Sequence, residues 1–253
     1  MAEPILSVRG LTKTFKLQGR EDVHAVKDVT FDLFPGETLG VIGESGSGKT
    51  TLVNLITGLL PATAGTILLD GIEITKSRGK DLRAAWKKLQ VVFQTPTESF
   101  DPRRTLGDGI CESMRNSGVS KADARARAKE LLALCGLPEE FVDRYPHQVS
   151  GGQCQRAAIA RALAIEPSVL VCDEATSALD VTIQAEIIEL LTELRQKLDM
   201  SILFICHDIA LVQQFCDRVV VMYRGRIVEE GVPGKVIAAP QNPFTKDLID
   251  SIL

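Results

Sequence analysis

The chain lacks an excess of positive charge, a paired-cysteine pattern and any long apolar run, and each absence narrows what it is built to do. Its 29 Lys and Arg against 33 Asp and Glu leave a net charge of −4 over 253 residues, so no electrostatic argument favours a nucleic-acid surface. Nucleic acid is not an expected partner. The six cysteines, at 111, 135, 154, 172, 206 and 216, form no C-x-x-C pair and no zinc-like spacing. They read as reduced, mostly buried thiols of a cytosolic protein. No apolar run approaches the roughly 20 residues of a membrane helix, and the N-terminus has no signal-peptide h-region. Membrane association is expected only through a partner. No internal repeat or low-complexity segment is evident, which predicts one copy of a single module.

What is present is a phosphate-binding run. Gly43-Glu44-Ser45-Gly46-Ser47-Gly48-Lys49-Thr50 fits G-x-x-x-x-G-K-S/T, between a predicted buried strand over 38–42 and a predicted helix over 49–60. The glycines allow a tight turn with inward N–H groups, and the helix start adds the positive end of its dipole. Lys49 supplies charge for the β- and γ-phosphates, and the Thr50 hydroxyl is placed to bind Mg²⁺. Thr51 completes the expected nucleotide-binding set.

Around this run, short β-branched segments alternate with helix-length amphipathic ones. The pattern argues for an α/β fold with a mostly parallel sheet covered by helices. The runs 168–172 and 201–206 read as strands buried on both faces, and Ile187, Leu191, Leu194 and Leu198 recur at helical spacing as core. Val219 to Met222 and Arg226 to Glu230 flank Arg224-Gly225, which suggests a hairpin at the sheet edge. From about Thr95 to Ala160 the pattern turns helical: Ser120 and Asp123 start one helix, and Gly136 and Pro138 close it. This stretch reads as a helical insertion.

Three further constellations carry chemistry. Asp173-Glu174 follows the apolar run 169–172, which delivers carboxylates to the C-terminal edge of the sheet beside the phosphate loop. Asp173 is expected to hold Mg²⁺ through water, and Glu174 to polarise the attacking water as general base. His207 follows the apolar run 202–206 to the same edge, where it would contact the γ-phosphate; a lone histidine at a strand end is otherwise structural. Ser150-Gly151-Gly152-Gln153 opens a helix with Ser150 as N-cap, a second anion-binding start. One phosphate site already exists in the subunit, so this start makes sense facing a γ-phosphate held by a neighbour, with Ser177-Ala178-Leu179-Asp180 touching that neighbour too.

Taken in order, the phosphate loop, Gln94, Ser150 to Gln153, Asp173-Glu174, Asp180 and His207 resemble the ATP-binding-cassette (ABC) ATPases over nearly the whole chain. The resemblance implies a P-loop NTPase fold with a RecA-like, mostly parallel core sheet, an N-terminal antiparallel β part and an inserted helical subdomain. It implies one nucleotide-binding domain over 1–253, with 1–94 and 161–253 as catalytic core and 95–160 as helical subdomain. It implies ATP and Mg²⁺, two subunits sandwiching two ATP molecules, Gln94 at Mg²⁺ and the attacking water, and Phe15 stacking on adenine with Val26 nearby. Gln94 would also begin the segment 95–104 that senses a membrane partner, with Phe100 either an apolar contact there or simple packing.

Narrower runs, Ser99-Phe100-Asp101-Pro102-Arg103, Ser177 to Ala185 and Asn242-Pro243-Phe244-Thr245, look like the ATPases of dipeptide, oligopeptide and nickel importers. That branch implies a subunit on the cytoplasmic face of the membrane, peripheral, working with multi-span permease subunits, indirectly with an extracellular substrate-binding protein, and with a second ABC ATPase as a heterodimer rather than a homodimer. Val149, Cys154 and Ala175 depart from the residues common at those positions. With the chain ending at Leu253, no iron–sulfur tail is expected. A soluble ATP-dependent switch without transport is the alternative; its usual second cassette or coiled-coil insertion is not visible. Intact Glu174 and His207 argue against a non-catalytic regulatory cassette.

Overall fold

A computed structural model describes residues 3–16, 19, 21–177 and 179–250. Ala178 and Leu253, which entered the expectations above, lie outside the described residues. In chain order the elements are β1 (Leu6–Phe15), β2 (Val23–Leu33), β3 (Thr38–Ile42), α1 (Lys49–Ile56), β4 (Ala64–Leu69), β5 (Ile72–Glu73), α2 (Lys80–Lys88), β6 (Leu89–Val92), α3 (Leu106–Asn116) and α4 (Lys121–Leu134). They continue with α5 (Gly151–Leu163), β7 (Val169–Asp173), α6 (Val181–Leu198), β8 (Ser201–Ile205), α7 (Ile209–Phe215), β9 (Arg218–Tyr223), β10 (Arg226–Gly231), α8 (Pro233–Ala238) and α9 (Pro243–Asp250).

Two sheets carry the fold. One runs β2-β1-β4-β5 and is antiparallel; the other runs β10-β9-β3-β8-β7-β6 and is parallel except for the edge hairpin β9–β10. Every residue of β3, β7 and β8 is buried, because both faces of the parallel sheet are covered. Successive side chains alternate between the two cores. Leu39, Val41, Val171 and Leu203 meet α1 and the antiparallel sheet, whereas Leu170, Cys172, Ile202 and Phe204 meet the helices between α3 and α7.

The register brings the functional runs together. Val41 and Asp173 both pair with Ile205, and Ile42 pairs with Val221. The C-terminal ends of β3, β7, β8 and β9 therefore finish at one edge, where the loops after them cluster. The fold is the expected P-loop α/β architecture with an N-terminal antiparallel sheet.

Some local expectations need correction. The helix predicted over 49–60 ends at Ile56: the N–H of Gly58 turns back to Leu55 O at 3.1 Å and that of Leu60 to Asn54 O at 2.9 Å. Leu198 is 39% exposed in the last turn of α6, one turn beyond the buried Leu194, so it is not core. Phe100 is 5% exposed, with the Arg161 guanidinium carbon 4.8 Å from its ring centroid. It is packing, not a surface contact. Ser120 caps α4 as expected, its Oγ accepting from the Asp123 N–H at 3.1 Å. α5 runs through Leu163, so the division expected at 160/161 falls inside one helix. The cysteines are free thiols, all buried but the half-buried Cys216, and burial pushes the Cys172 thiol up to about 12.

Candidate nucleotide site

The phosphate loop is shaped by contacts that only small residues permit. Gly48 sits at φ 107°, and a Cβ there would lie 2.4 Å from the Ala25 carbonyl oxygen, which no side chain tolerates. Lys49 is 5% exposed and donates from Nζ to the Gly43 and Glu44 carbonyls at 2.7 and 3.0 Å, holding the loop closed over its own ammonium group. Burial lowers the Lys49 pKa against the pull of the Glu174 and Asp173 charges. The cavity beside it holds about 380 Å³ and is lined by Ser45, Gly46, Gly48, Lys49, Thr50, Thr51 and Glu174 from the expected set. Gly43 and Ser47 are buried behind it. The dimensions and the cationic helix start suit a polyphosphate.

At the next strand end, Asp173 is 9% exposed and its carboxyl is pushed up from 3.8 to about 6, first by burial, then by the Glu174 charge, with Lys49 opposing. Its Oδ1 is buried without a hydrogen-bond partner. Glu174 adopts a left-handed backbone, φ 49°, which costs of order 1 kcal/mol or more for a non-glycine residue and concentrates at functional sites. That conformation is held by Glu174 N–H donating to Ile205 O at 3.1 Å, and by the Ser177 N–H and Oγ donating to Glu174 O at 3.1 and 2.9 Å. Gln94 Nε2 donates to Ser177 Oγ at 3.0 Å, so Gln94 is tied to the turn that carries Glu174. His207 Nδ1 stands 4.0 Å from Glu174 Oε1 with its side chain 59% exposed, beyond hydrogen-bond reach but lining the same small cleft.

Other expected residues lie elsewhere. Ser150 and Gln153 form a capping box: Ser150 Oγ accepts from Gln153 N–H at 3.3 Å, and Gln153 Oε1 from Ser150 N–H at 2.9 Å. Ser150 and Gly151 are exposed, and this helix start is not part of the phosphate-loop cavity. It packs instead on the start of α6: a Cβ on Gly152 would lie 2.7 Å from Ile183 Cγ2. Asp180 caps α6 through Oδ1, accepting from Ile183 N–H at 3.1 Å. One subunit therefore carries a phosphate loop and, apart from it, a second helix start exposed at Ser150 and Gly151.

Val26 requires correction. It is fully buried in the core between the sheets, so it anchors β2 and offers no surface to a base; Val23 and Ala25 on the same strand line the cavity instead. Phe15 is 37% exposed, pairs across the strands with Val23, and has the Lys13 ammonium 5.1 Å from its ring centroid. The sequence reading missed His24, Lys27 and Arg224, all of which line the cavity. For Arg224 the only signal was its place in a two-residue turn.

The donor set fits Mg²⁺. Asp173 has an unpartnered buried oxygen, it shares a cleft with Gln94, and the Thr50 hydroxyl opens the helix start. Mg²⁺ keeps water and substrate phosphates as most of its ligands, so few protein donors are needed. When bound, the ion would neutralise phosphate charge.

Comparison with known proteins decides the family. The ABC transporter family profile matches residues 26–177, more than half of the chain. The chain belongs to the ABC transporter family. A Brucella ovis protein named as a candidate peptide-import ATP-binding protein is 42% identical over 250 residues, covering 98% of this chain and 78% of that one. The glutathione import ATP-binding protein GsiA of Salmonella choleraesuis is 45% identical over 258 residues, covering 99% of this chain and 41% of that one. Among solved structures, the ATP-binding cassette MJ0796, in a dimeric post-hydrolysis state with ADP and Pi, superposes with a TM-score of 0.82 at 31% identity, covering 90% of this chain and 98% of that one. The protein cbiO1 of Clostridium perfringens, part of the ABC transporter complex cbiONQ, gives a TM-score of 0.83 at 32% identity, covering 93% of this chain and 91% of that one. The chain is thus an ATP-binding, ATP-hydrolysing cassette that uses Mg²⁺, and no helix among its described residues is long and apolar enough to cross a membrane.

Proposed function

We propose that this ABC ATPase powers import of peptides or related small peptidic solutes, bound at the cytoplasmic face of the membrane to multi-span permease subunits. The observation that carries the reading is the exposed, capped helix start at Ser150–Gln153, separate from the phosphate-loop cavity of its own subunit. The capping box engages the Ser150 and Gln153 N–H groups, which leaves those of Gly151 and Gly152 for the γ-phosphate of an ATP held by a second cassette. The names of the relatives favour peptidic cargo; nickel has no such support. A soluble, non-transport switch is not favoured.

In this reading ATP closes two cassettes, each phosphate loop facing the other's Ser150–Gln153. Lys49 and the loop N–H groups stabilise charge that develops on the phosphates. Glu174 accepts a proton from water as its oxygen attacks the γ-phosphorus; the bond to the β–γ bridging oxygen breaks, and ADP leaves with that oxygen. His207 orients the water and γ-phosphate, Phe15 stacks on adenine, and Asp180 contacts the partner cassette. Gln94 is tied through Ser177 to the catalytic turn, and its chain neighbour Phe93 lines a groove of about 410 Å³ with Leu59, Trp86, Val91 and Glu112, among others. That groove is the proposed seat of a permease helix. A substrate-binding protein delivers cargo on the far side, and the second ATPase is a different chain.

The test is a gentle detergent pull-down of the tagged Glu174→Gln chain with ATP and Mg²⁺. The substitution should hold the closed state with turnover nearly abolished. A multi-span permease, a second cassette and a peptide-type receptor are expected; ribosomal or DNA-bound partners alone would overturn the transport reading.

A further inference from the structure

We propose that Arg224 is a ligand of the nucleotide's phosphate chain, held in position by the C-terminal run Asn242-Pro243-Phe244-Thr245. The proposal rests on the phosphate-loop cavity being the nucleotide site. Arg224 is the first residue of the β9–β10 turn and has φ 46°, a left-handed conformation that turns the chain back in two residues. The turn is bonded to the nucleotide-binding elements: Gly225 N–H donates to Ser47 O at 2.9 Å, and Lys27 N–H donates to Gly225 O at 2.7 Å. Both Arg224 and Gly225 line the cavity with Lys49, Thr50 and Thr51.

The Arg224 side chain is exposed and pairs with no carboxylate among the described residues. Its guanidinium carbon stands 5.0 Å from the centroid of the Tyr223 ring. A guanidinium at the rim of a polyphosphate socket, with no acid of its own, has the planar donor fork that suits phosphate oxygens.

What holds that fork is remote in sequence. The Tyr223 and Phe244 rings stack at 3.9 Å between centroids and 23° between planes. The segment leading into α9 is pinned to the same hairpin: Glu229 Oε1 accepts from Gln241 N–H at 2.9 Å, and Oε2 from Asn242 N–H at 3.0 Å. Asn242 Oδ1 in turn accepts from Phe244 N–H at 2.9 Å. The terminal helix therefore grips β9 and β10 at the base of the turn, and Tyr223 passes that constraint to its neighbour Arg224. The run's chemistry has no other use in the site, whereas packing on the hairpin gives it one.

Equilibrium binding of ATP, ADP and adenosine to the full chain tests this. Arg224→Ala should weaken ATP and ADP roughly tenfold, the scale of one charge-assisted contact, leave adenosine unchanged, and be partly restored by Arg224→Lys. Unchanged ATP affinity in Arg224→Ala, alongside strong loss in Lys49→Ala, would overturn the proposal and leave the site reading intact. Unchanged affinity in both would sink the site reading itself. Phe244→Ala should weaken ATP in the same direction, and the double variant should bind no worse than Arg224→Ala alone. Additive losses would refute positioning through Tyr223. If Phe244→Ala does not fold by thermal melt, Phe244→Leu keeps the apolar burial, removes the ring stack and answers the same question.

Discussion

Asp173 shows how much a single carboxyl changes when the chain folds around it. Its pKa is raised from 3.8 to about 6, so the folded chain holds that proton more tightly than the unfolded one. Without metal, the ionised group therefore costs stability; the cost is complete above about pH 6 and gone below the ordinary carboxylate value of 3.8. Asp173→Asn should accordingly melt at a higher temperature than the native chain at pH 7.5 in chelator, and the gap should shrink as the pH falls toward 4.5. A pH-independent difference would mean that burial of the charge is not what Asp173 costs. The acid pair itself was legible from its place after an apolar run. Its electrostatics were not, because burial and the nearness of Lys49 depend on β3 and β7 flanking β8 in one sheet, with the phosphate loop leaving the end of β3.

Among the elements, α5 joins the most separate parts. It begins at the exposed capping box, packs on α3 and α4, and lies against β6 and α6. The 3₁₀ turn Pro96–Ser99 rests on it, with Arg161 stacked on Phe100 and donating to Ser99 O. Phe100 also lies against Gly109 of α3, where an added Cβ would be 2.7 Å from its ring. Removing the ring by Phe100→Ala should destabilise the chain by about 3–5 kcal/mol, read as a lowered denaturation midpoint in urea. An unchanged midpoint would return Phe100 to the surface role that its neighbours in sequence suggested. The helix starts at Ser120 and Ser150 were readable because caps act within four residues. The end of α1 and the exposure of Leu198 were not, because each depends on where neighbouring elements stop.

Across the whole molecule, the proposed ATPase site is divided. The phosphate loop, Asp173, Glu174 and His207 gather at one sheet edge, whereas Ser150–Gln153 faces outward beside the start of α6. The Glu174→Gln chain is expected to remain monomeric by sedimentation with ATP and Mg²⁺ alone, and to form a one-to-one complex when the second cassette recovered in the pull-down is added. A stable homodimer would overturn the expected heterodimer.

The phosphate loop, the helix caps, the acid pair and the α/β alternation were determined by the sequence alone, because each is a local pattern whose chemistry acts over a few residues. Tertiary structure decided that Val26 is core rather than base-facing, that Phe100 is packing, that Arg224 lines the phosphate-loop cavity and that Phe244 stacks on its neighbour Tyr223. Those outcomes depend on strand register and on contacts between segments far apart in the chain, and no periodicity within a segment encodes what a distant segment will cover.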